Sequence, residues 1–540
     1  MSRRAAFWTF LVVLTLLLAN GRAIGSGDTN AVERTAASLV RNRSFLIESP
    51  ADDPFTRPAG AGRISIYPPL TAVVAAPFFA LFSVFFDLDP SGIQIAGKIT
   101  AALLSSLAMG LLALIFSRRV LPQRAFEAAV LIGLGTSIYS TSQALWQHPV
   151  VVLFVVIGLG ALEDVAARAR IPTRRSAVIA ALAISLAAAA RPAAIPMCAV
   201  LIAFLVTRAR DHIAAIAVAA GLPALAVAAY NQIWFGAPWN FGATTTGRFM
   251  AALPESVPGL LISPARGLLV FTPFAVFAFW SLMTRARINP FARTLLVAVL
   301  VHVGFIACWN EWHGGESFGP RLLTDMVPVL FFFLPEALFS QASAVTTLAL
   351  VSAAIQFLGG WTYDYRWERL HQRGKEFDQA LWSWKDGPIP FAVREGVAIQ
   401  GVPDVDGRKL RLRLHRFVLT DVAGSTIEGG SETPRVSGAP LFSDVHLERG
   451  ARMEAGFVRM THPSDALAFR ATRDGLLALR ISGRLDGLIA VDGPAGATEQ
   501  PTNGPFDTIL SVRVKTGDVI AIRAARGDLR LARIEGNLSR

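Results

Sequence analysis

Residues 95–119 read IAGKITAALLSSLAMGLLALIFSRR, an apolar run to Ser117 closed by the paired Arg118 and Arg119. Its length is close to the roughly 20 residues that carry a helix across a bilayer. Similar stretches recur near 7–19, 67–86, 125–142, 148–165, 176–190, 193–207, 212–230, 267–283, 294–309, 322–339 and 343–358. The first 360 residues therefore read as an all-α polytopic membrane protein with about 11 to 13 spans. Composition agrees. The 540 residues are 53% hydrophobic and 17% charged, against about a quarter charged in soluble domains. A cytosolic enzyme, a disordered scaffold and a secreted disulfide module are all excluded. The net charge of +12 comes from 46 Arg and 5 Lys. The arginines cluster between apolar spans, so topology explains them better than nucleic acid does. Cys198 and Cys308 both lie in apolar segments and support neither a disulfide framework nor a metal site.

Cytoplasmic loops collect arginine and lysine. The clusters Arg118-Arg119-Arg124, Arg168-Arg170-Arg174-Arg175, Arg208-Arg210 and Arg285-Arg287-Arg293 are each separated from the next by two apolar stretches. All four then lie in the cytoplasm, and the alternate connections lie outside: 143–147, Arg191-Pro192, 231–266 and 309–321. Arg3-Arg4 put the N-terminus inside as well, so loop 25–66 is outside. One of the two apolar stretches between Tyr67 and Arg118 must then fail to cross. Stretch 67–86 is the better candidate, because Pro68, Pro69 and Pro77 interrupt it. Otherwise Arg118 and Arg119 break the charge rule.

Beyond about residue 400 the pattern changes. Leu410, Leu412 and Leu414 alternate with Arg411, Arg413 and His415, and short apolar runs follow at 476–481, 488–491, 509–514, 519–522 and 529–534. Asp-Gly or Gly-Asp pairs at 406–407, 474–475, 486–487, 517–518 and 527–528 punctuate them. Short strands at this spacing indicate a C-terminal all-β, sandwich-like domain. The organisation is thus a first transmembrane helix (1–24), a first extracytoplasmic loop (25–66), a multi-span domain (67–360), a Trp-rich interfacial linker (361–399) and an extracytoplasmic β domain (400–540).

Several polar residues fall on the same outer side. Ser26-Gly27-Asp28-Thr29 follow the first span, and Asp28 is placed either to act as a general base on a hydroxyl or to cap the helix beginning near Ala31. Arg63 and Tyr67-Pro68-Pro69-Leu70 lead back to the membrane, where the prolines stiffen the entry or open a helix. His148 opens a span after Trp146-Gln147, positioned to donate to a phosphate or sugar or to serve only structure. Arg191 is the lone charge over a long apolar stretch, so it calls for an anionic partner or snorkels to the interface. Ser263-Pro264-Ala265-Arg266-Gly267 open another span. The segment Trp309–Arg321 combines aromatics, glycines, Glu316 and Arg321, a mixture suited to stacking on a sugar and clamping a phosphate, or to an interfacial belt.

These motifs resemble the GT-C superfamily of integral-membrane glycosyltransferases, in the bacterial branch related to protein O-mannosyltransferases and aminoarabinose transferases. The likeness covers roughly residues 5–395. It rests on Gly27-Asp28-Thr29, Tyr67-Pro68-Pro69-Leu70, His148-Pro149, Phe235-Gly236-Ala237-Pro238, Ser263-Pro264-Ala265-Arg266-Gly267-Leu268 and Gly314-Gly315-Glu316-Ser317-Phe318-Gly319-Pro320-Arg321. The resemblance implies a polyprenyl-phosphate sugar donor, an outward-facing site in the bacterial cell membrane, and a first-loop aspartate as base, which Asp28 matches. For the second acid found in relatives, Glu33, Glu48, Asp52 and Asp53 are candidates. The loop holds no strict Asp-x-Asp, which counts against a divalent metal, and no cofactor is expected.

The expected function is transfer of a sugar from a polyprenyl phosphate to an envelope glycan, lipid or protein acceptor on the extracytoplasmic face. Asp28 is the expected catalytic base. Arg63, Tyr67, His148, Arg191, Arg266, Glu316 and Arg321 are the expected substrate and lipid-phosphate ligands. The partners are then the sugar lipid, the acceptor and membrane lipid, with no nucleic acid. The rival readings are a lipid or glycan transporter and a non-catalytic scaffold that displays the β domain.

Overall fold

The computed structural model describes residues 2–50, 53–167, 172–242, 253–363, 365–371 and 375–395, and beyond 397 the strands and a few connecting residues up to 539. Of the residues singled out above, Asp52, Arg168 and Arg170 lie outside this set, as do at least one residue of each Asp-Gly or Gly-Asp pair in the tail. The chain forms two compact units, Met1–Glu395 and Gly396–Arg540.

The first unit is helical. Among the described residues, five helices are long and apolar enough to cross a membrane: Pro90–Phe116, His148–Ala166, Arg210–Phe235, Pro290–Ala307 and Ala342–Thr362. Shorter apolar helices include Leu70–Phe82, Pro192–Arg208 and Leu253–Ile262, with Ser2–Leu18, Pro122–Gly135 and Arg174–Ala190 packed among them. The starts follow local chemistry. Asp89 caps Pro90–Phe116 by accepting the Gly92 amide at 2.6 Å, and Asn289 accepts the amides of Phe291 and Ala292 ahead of Pro290–Ala307. In both helices proline occupies the first turn, where its missing N–H costs nothing.

Helices Ser2–Leu18 and Pro90–Phe116 run antiparallel. Near one end the Lys98 ammonium donates to the Leu17 carbonyl at 2.6 Å. Toward the other, Gly110 lets the two backbones close: a Cβ there would lie 3.0 Å from the Ala6 carbonyl oxygen. Residues 19–89 therefore leave and re-enter at the same end. Leu70–Phe82, 13 residues long with Pro77 inside, belongs to this excursion. One face packs Ala72, Ala75 and Phe79 onto Val32, Ala36 and Ala37 of the loop helix Gly27–Arg41. The other exposes Val73 and Leu81, followed by Val84 and Phe85.

The basic clusters gather at the opposite end. Arg118 pairs with Asp164 at 2.9 Å, and Arg119 pairs with Glu163 and, at 3.1 Å, with Glu336. The Arg119 guanidinium lies 4.3 Å from the Phe332 ring, and that of Arg285 lies 5.3 Å from Phe333. His212, next to Arg210, meets the Pro172 carbonyl at 2.9 Å. Charge that a sequence reads as topology is here also neutralised by local carboxylates.

The second unit is β. Gly475–Arg484 pairs antiparallel with both Pro505–Val514 and Leu529–Ser539, the centre of a seven-stranded sheet. Val519–Arg526 pairs with Ala466–Ala471 and Gly487–Gly493 in a five-stranded sheet. Leu479, Ile481 and Leu510 of the first sheet share a core with Leu467, Phe469, Ile489, Ile520 and Ile522 of the second. Each such side chain, fully buried, stabilises by roughly 1.5–3 kcal/mol. The Leu410–Leu414 alternation falls in a separate three-stranded sheet, in the strand Lys409–His415.

Candidate functional site

The loop helix Gly27–Arg41 starts earlier than Ala31 and takes Ser26 as its N-cap residue. Asp28 is therefore not the cap. It sits in the first turn, where the helix dipole favours a negative charge. The Ser26 hydroxyl donates to one carboxylate oxygen, and Arg321 Nη1 donates to the other at 2.8 Å. Burial would raise the Asp28 carboxyl, but the charge of Arg321 and these hydrogen bonds outweigh it and hold the group below its ordinary range. Asp28 is ionised at neutral pH.

Arg321 reaches Asp28 because of the loop before it. Gly314, Gly315 and Gly319 have φ of +76°, +61° and +84°, a region in which other residues are strained. Arg321 then donates to the Gly314 carbonyl at 2.6 Å and lies 4.0 Å from the Trp146 ring centroid. It opens a short 3₁₀ helix, Arg321–Met326. One turn on, the same helix presents Asp325, which is fully buried. Asp325 meets His148 Nδ1 at 2.8 Å and accepts from Arg191 Nη1. The anionic partner that Arg191 requires is thus a carboxylate of the chain itself, and the same carboxylate orients the His148 ring.

Tyr67 belongs to this neighbourhood. Its ring stacks on Phe55 with centroids 6.4 Å apart. Burial, reinforced by the Asp28 charge, pushes its hydroxyl far above the ordinary tyrosine range, so it keeps its proton as a donor. Asp28, Tyr67, His148, Arg191 and Arg321 thus converge. Arg63 and Arg266 have other partners. Arg63 braces the hairpin Thr56–Ser65, donating to the Thr56 hydroxyl at 2.6 Å and the Thr56 carbonyl at 3.1 Å. Arg266 is fully buried. It donates to the carbonyls of His313 and Gly315 and pairs with Glu368 at 2.8 Å, so it supports the glycine loop from behind. Burial outweighs the pull of Arg266 and leaves the Glu368 carboxyl raised. Glu316 is exposed on that loop.

Arg321, with Asp28 paired to it, borders a small pocket open to solvent. Trp146, Phe318, Tyr363 and Tyr365 form aromatic walls, Ser140, Thr141 and Gln143 add polar groups, and Arg321 is the one lining cation among the described residues. Beneath it, the Gln143 side-chain oxygen accepts from Asn20 at 2.7 Å and from Lys98. Lys98 and Asp325 are the residues that sequence reasoning passed over. Each was visible as an ionisable group inside an apolar stretch, a feature that marks a functional or paired site. Among the described residues no cluster of three or more His, Cys, Asp or Glu side chains is arranged to hold a metal.

No family model and no curated protein matches the sequence. Among solved structures, the arabinosyltransferase EmbB from Mycobacterium smegmatis is similar over 98% of this chain, with 14% identity and a TM-score of 0.34. This chain spans 64% of the length of that protein. A likeness at that level assigns neither a residue nor a reaction.

Proposed function

We propose that the chain is a membrane glycosyltransferase that moves a sugar from a polyprenyl-phosphate donor to an acceptor hydroxyl at the end of the helical unit that holds Asp28. The observation that carries this reading is an ionised carboxylate, paired to an arginine, beside a cavity walled by Trp146, Phe318, Tyr363 and Tyr365. Aromatic faces suit the apolar face of a sugar ring. A carboxylate beside a cation is what an attacking hydroxyl and a departing phosphate require.

The acceptor oxygen attacks the anomeric carbon as the bond from that carbon to the phosphate oxygen breaks. The bonding pair leaves with the phosphate, and the hydroxyl proton passes to Asp28. Negative charge growing on the phosphate draws on Arg321, which weakens its hold on Asp28 and raises the affinity of that carboxylate for the proton. Tyr67 supplies a fixed donor nearby. Helix Ala342–Thr362 brings Gly359 and Gly360 to the cavity, so residue 363 onward emerges at this same end. Under the positive-inside rule that end is extracytoplasmic.

The test is transfer from a panel of radiolabelled polyprenyl-phosphate sugars by wild type and Asp28→Asn in lipid. Wild type transfers, and the variant falls by roughly 10²–10⁴-fold, the usual contribution of a general base, while still binding the lipid. Binding of polyprenyl phosphate by both proteins with transfer by neither sinks the enzyme and favours a transporter.

A further inference from the structure

The residues that follow helix Ala342–Thr362 touch both sides of the Asp28–Arg321 pair. On one side the Tyr365 hydroxyl donates to the Gly25 carbonyl, three residues before Asp28. Arg22, in the same stretch of the first loop, donates to the carbonyl of Tyr363 at 2.8 Å. On the other side one oxygen of Glu368 accepts from both the Tyr363 hydroxyl and Arg266 Nη2, each at 2.8 Å. Arg266 in turn holds the carbonyls of His313 and Gly315 at 2.9 and 3.0 Å. Those two residues flank Gly314, whose carbonyl accepts from Arg321. The Glu368 side chain is 8% exposed and that of Arg266 1%, so water scarcely competes for this arm.

The backbone between the two arms is strained. Tyr365 has φ of +64°, in the left-handed region that a bulky side chain enters only at an energetic cost. Such a conformation persists where its surroundings over-determine it. Here the Tyr365 ring packs edge-on against Tyr363, with centroids 5.0 Å apart, and its hydroxyl is fixed on Gly25. Both rings line the pocket. The two hydroxyls end on different elements although the residues are two positions apart.

We infer that Tyr365 and Glu368 together clamp the first loop to the glycine loop and so set Asp28 against Arg321, and that both are positioning residues for that pair. The inference rests on the transfer proposed above, in which a base and a cation must meet one substrate, and a misplacement of about 1 Å costs up to roughly 10²-fold in rate. The stretch that the sequence offers as an interfacial linker becomes part of the frame of the site.

Two measurements on the full chain in lipid nanodiscs test the clamp, with wild type, Tyr365→Phe and the double variant Arg266→Met/Glu368→Met. Tyr365→Phe keeps the ring and removes only the hydroxyl. The double variant removes a buried ion pair without stranding either charge, a change that folded proteins often tolerate. The first measurement is the distance distribution between spin labels on cysteines at the exposed positions 42 and 316, in a chain lacking Cys198 and Cys308. Both variants are expected to shift or broaden it. The second is sugar transfer by unlabelled protein, in which kcat is expected to fall roughly 10–100-fold while KM stays within about twofold of wild type.

A tyrosine with a merely structural role lowers the melting temperature and leaves distances and kcat of the folded protein as they were, which overturns the clamp. Altered distances with kcat within twofold of wild type overturn it as well, because the pair then needs no such alignment. Variant-sensitive distances without any transfer by wild type keep the clamp and reject the glycosyltransferase. Transfer by wild type with distances that neither variant alters does the reverse.

Discussion

Glu33 offers a test of how the first loop is held. It lies on the buried face of Gly27–Arg41, 1% exposed, and accepts the Leu145 amide at 3.1 Å. Gly97 approaches so closely that a Cβ there would lie 2.4 Å from the carboxyl oxygen. Burial pushes the carboxyl from 4.5 up to about 8, against the Leu145 amide and the Arg34 charge, which pull it down. Glu33 is therefore protonated at pH 7 in the folded protein and ionised in the unfolded chain. Between those two values the folded state binds the extra proton, so stability falls as pH rises from 4.5 toward 8 and levels off above that. At about 1.4 kcal/mol per pH unit, the displacement from 4.5 to about 8 amounts to at most about 5 kcal/mol. Glu33→Gln keeps an acceptor for Leu145 and cannot ionise. Thermal unfolding in nanodiscs from pH 5 to 9.5 is the assay. The two proteins should melt alike near pH 5, and wild type should fall progressively behind the variant to about pH 8. Parallel curves across the range would falsify the buried, protonated carboxyl.

Other outcomes follow from the same geometry. Asp325→Asn removes the counter-charge of Arg191 and should cost about 3–5 kcal/mol by thermal or chemical unfolding, with much of it recovered in the double variant Asp325→Asn/Arg191→Met. Gly319→Ala places a Cβ 2.8 Å from the Phe271 ring at φ +84°; we expect a loss of about 1–3 kcal/mol, together with weaker phosphate binding as Arg321 shifts. Lys98→Met should raise the melting temperature, because Lys98 is a buried amine held by a carbonyl and an amide oxygen rather than by a carboxylate. In a chain lacking Cys198 and Cys308, single cysteines at the exposed positions 42 and 83 should react with an impermeant reagent from one side of the membrane, and a cysteine at 123 from the other; labelling of 42 and 83 from opposite sides would show that Leu70–Phe82 crosses.

Much of the architecture was legible because apolar runs and alternation are local properties. The span at 95–117 and the β tail both came from residues adjacent in the chain. The site was legible only in part. Asp28, His148, Arg191 and Arg321 stood out as polar residues at span ends. Their pairing did not, because Asp28 and Arg321 are 293 residues apart and His148 and Asp325 are 177 apart. Arg266 resembled the other arginines until Glu368, 102 residues on, was found against it. Asp325 was hidden by its surroundings: Leu322, Leu323, Met326 and Val327 make the segment read as membrane, and one carboxylate scarcely changes a run of that hydrophobicity.

The antiparallel contact between Ser2–Leu18 and Pro90–Phe116 also bears on how the protein is made. The first helix enters the bilayer with its packing face bare, because the residues that cover it lie about a hundred positions later. At roughly 5–20 residues per second of synthesis, that face waits on the order of 5–20 s for its partner. The loop helix, the hairpin and Leu70–Phe82 are all synthesised meanwhile. A shield from another membrane component over this interval would then be part of biogenesis, and shortening the stretch between the two helices would shorten the time it is needed.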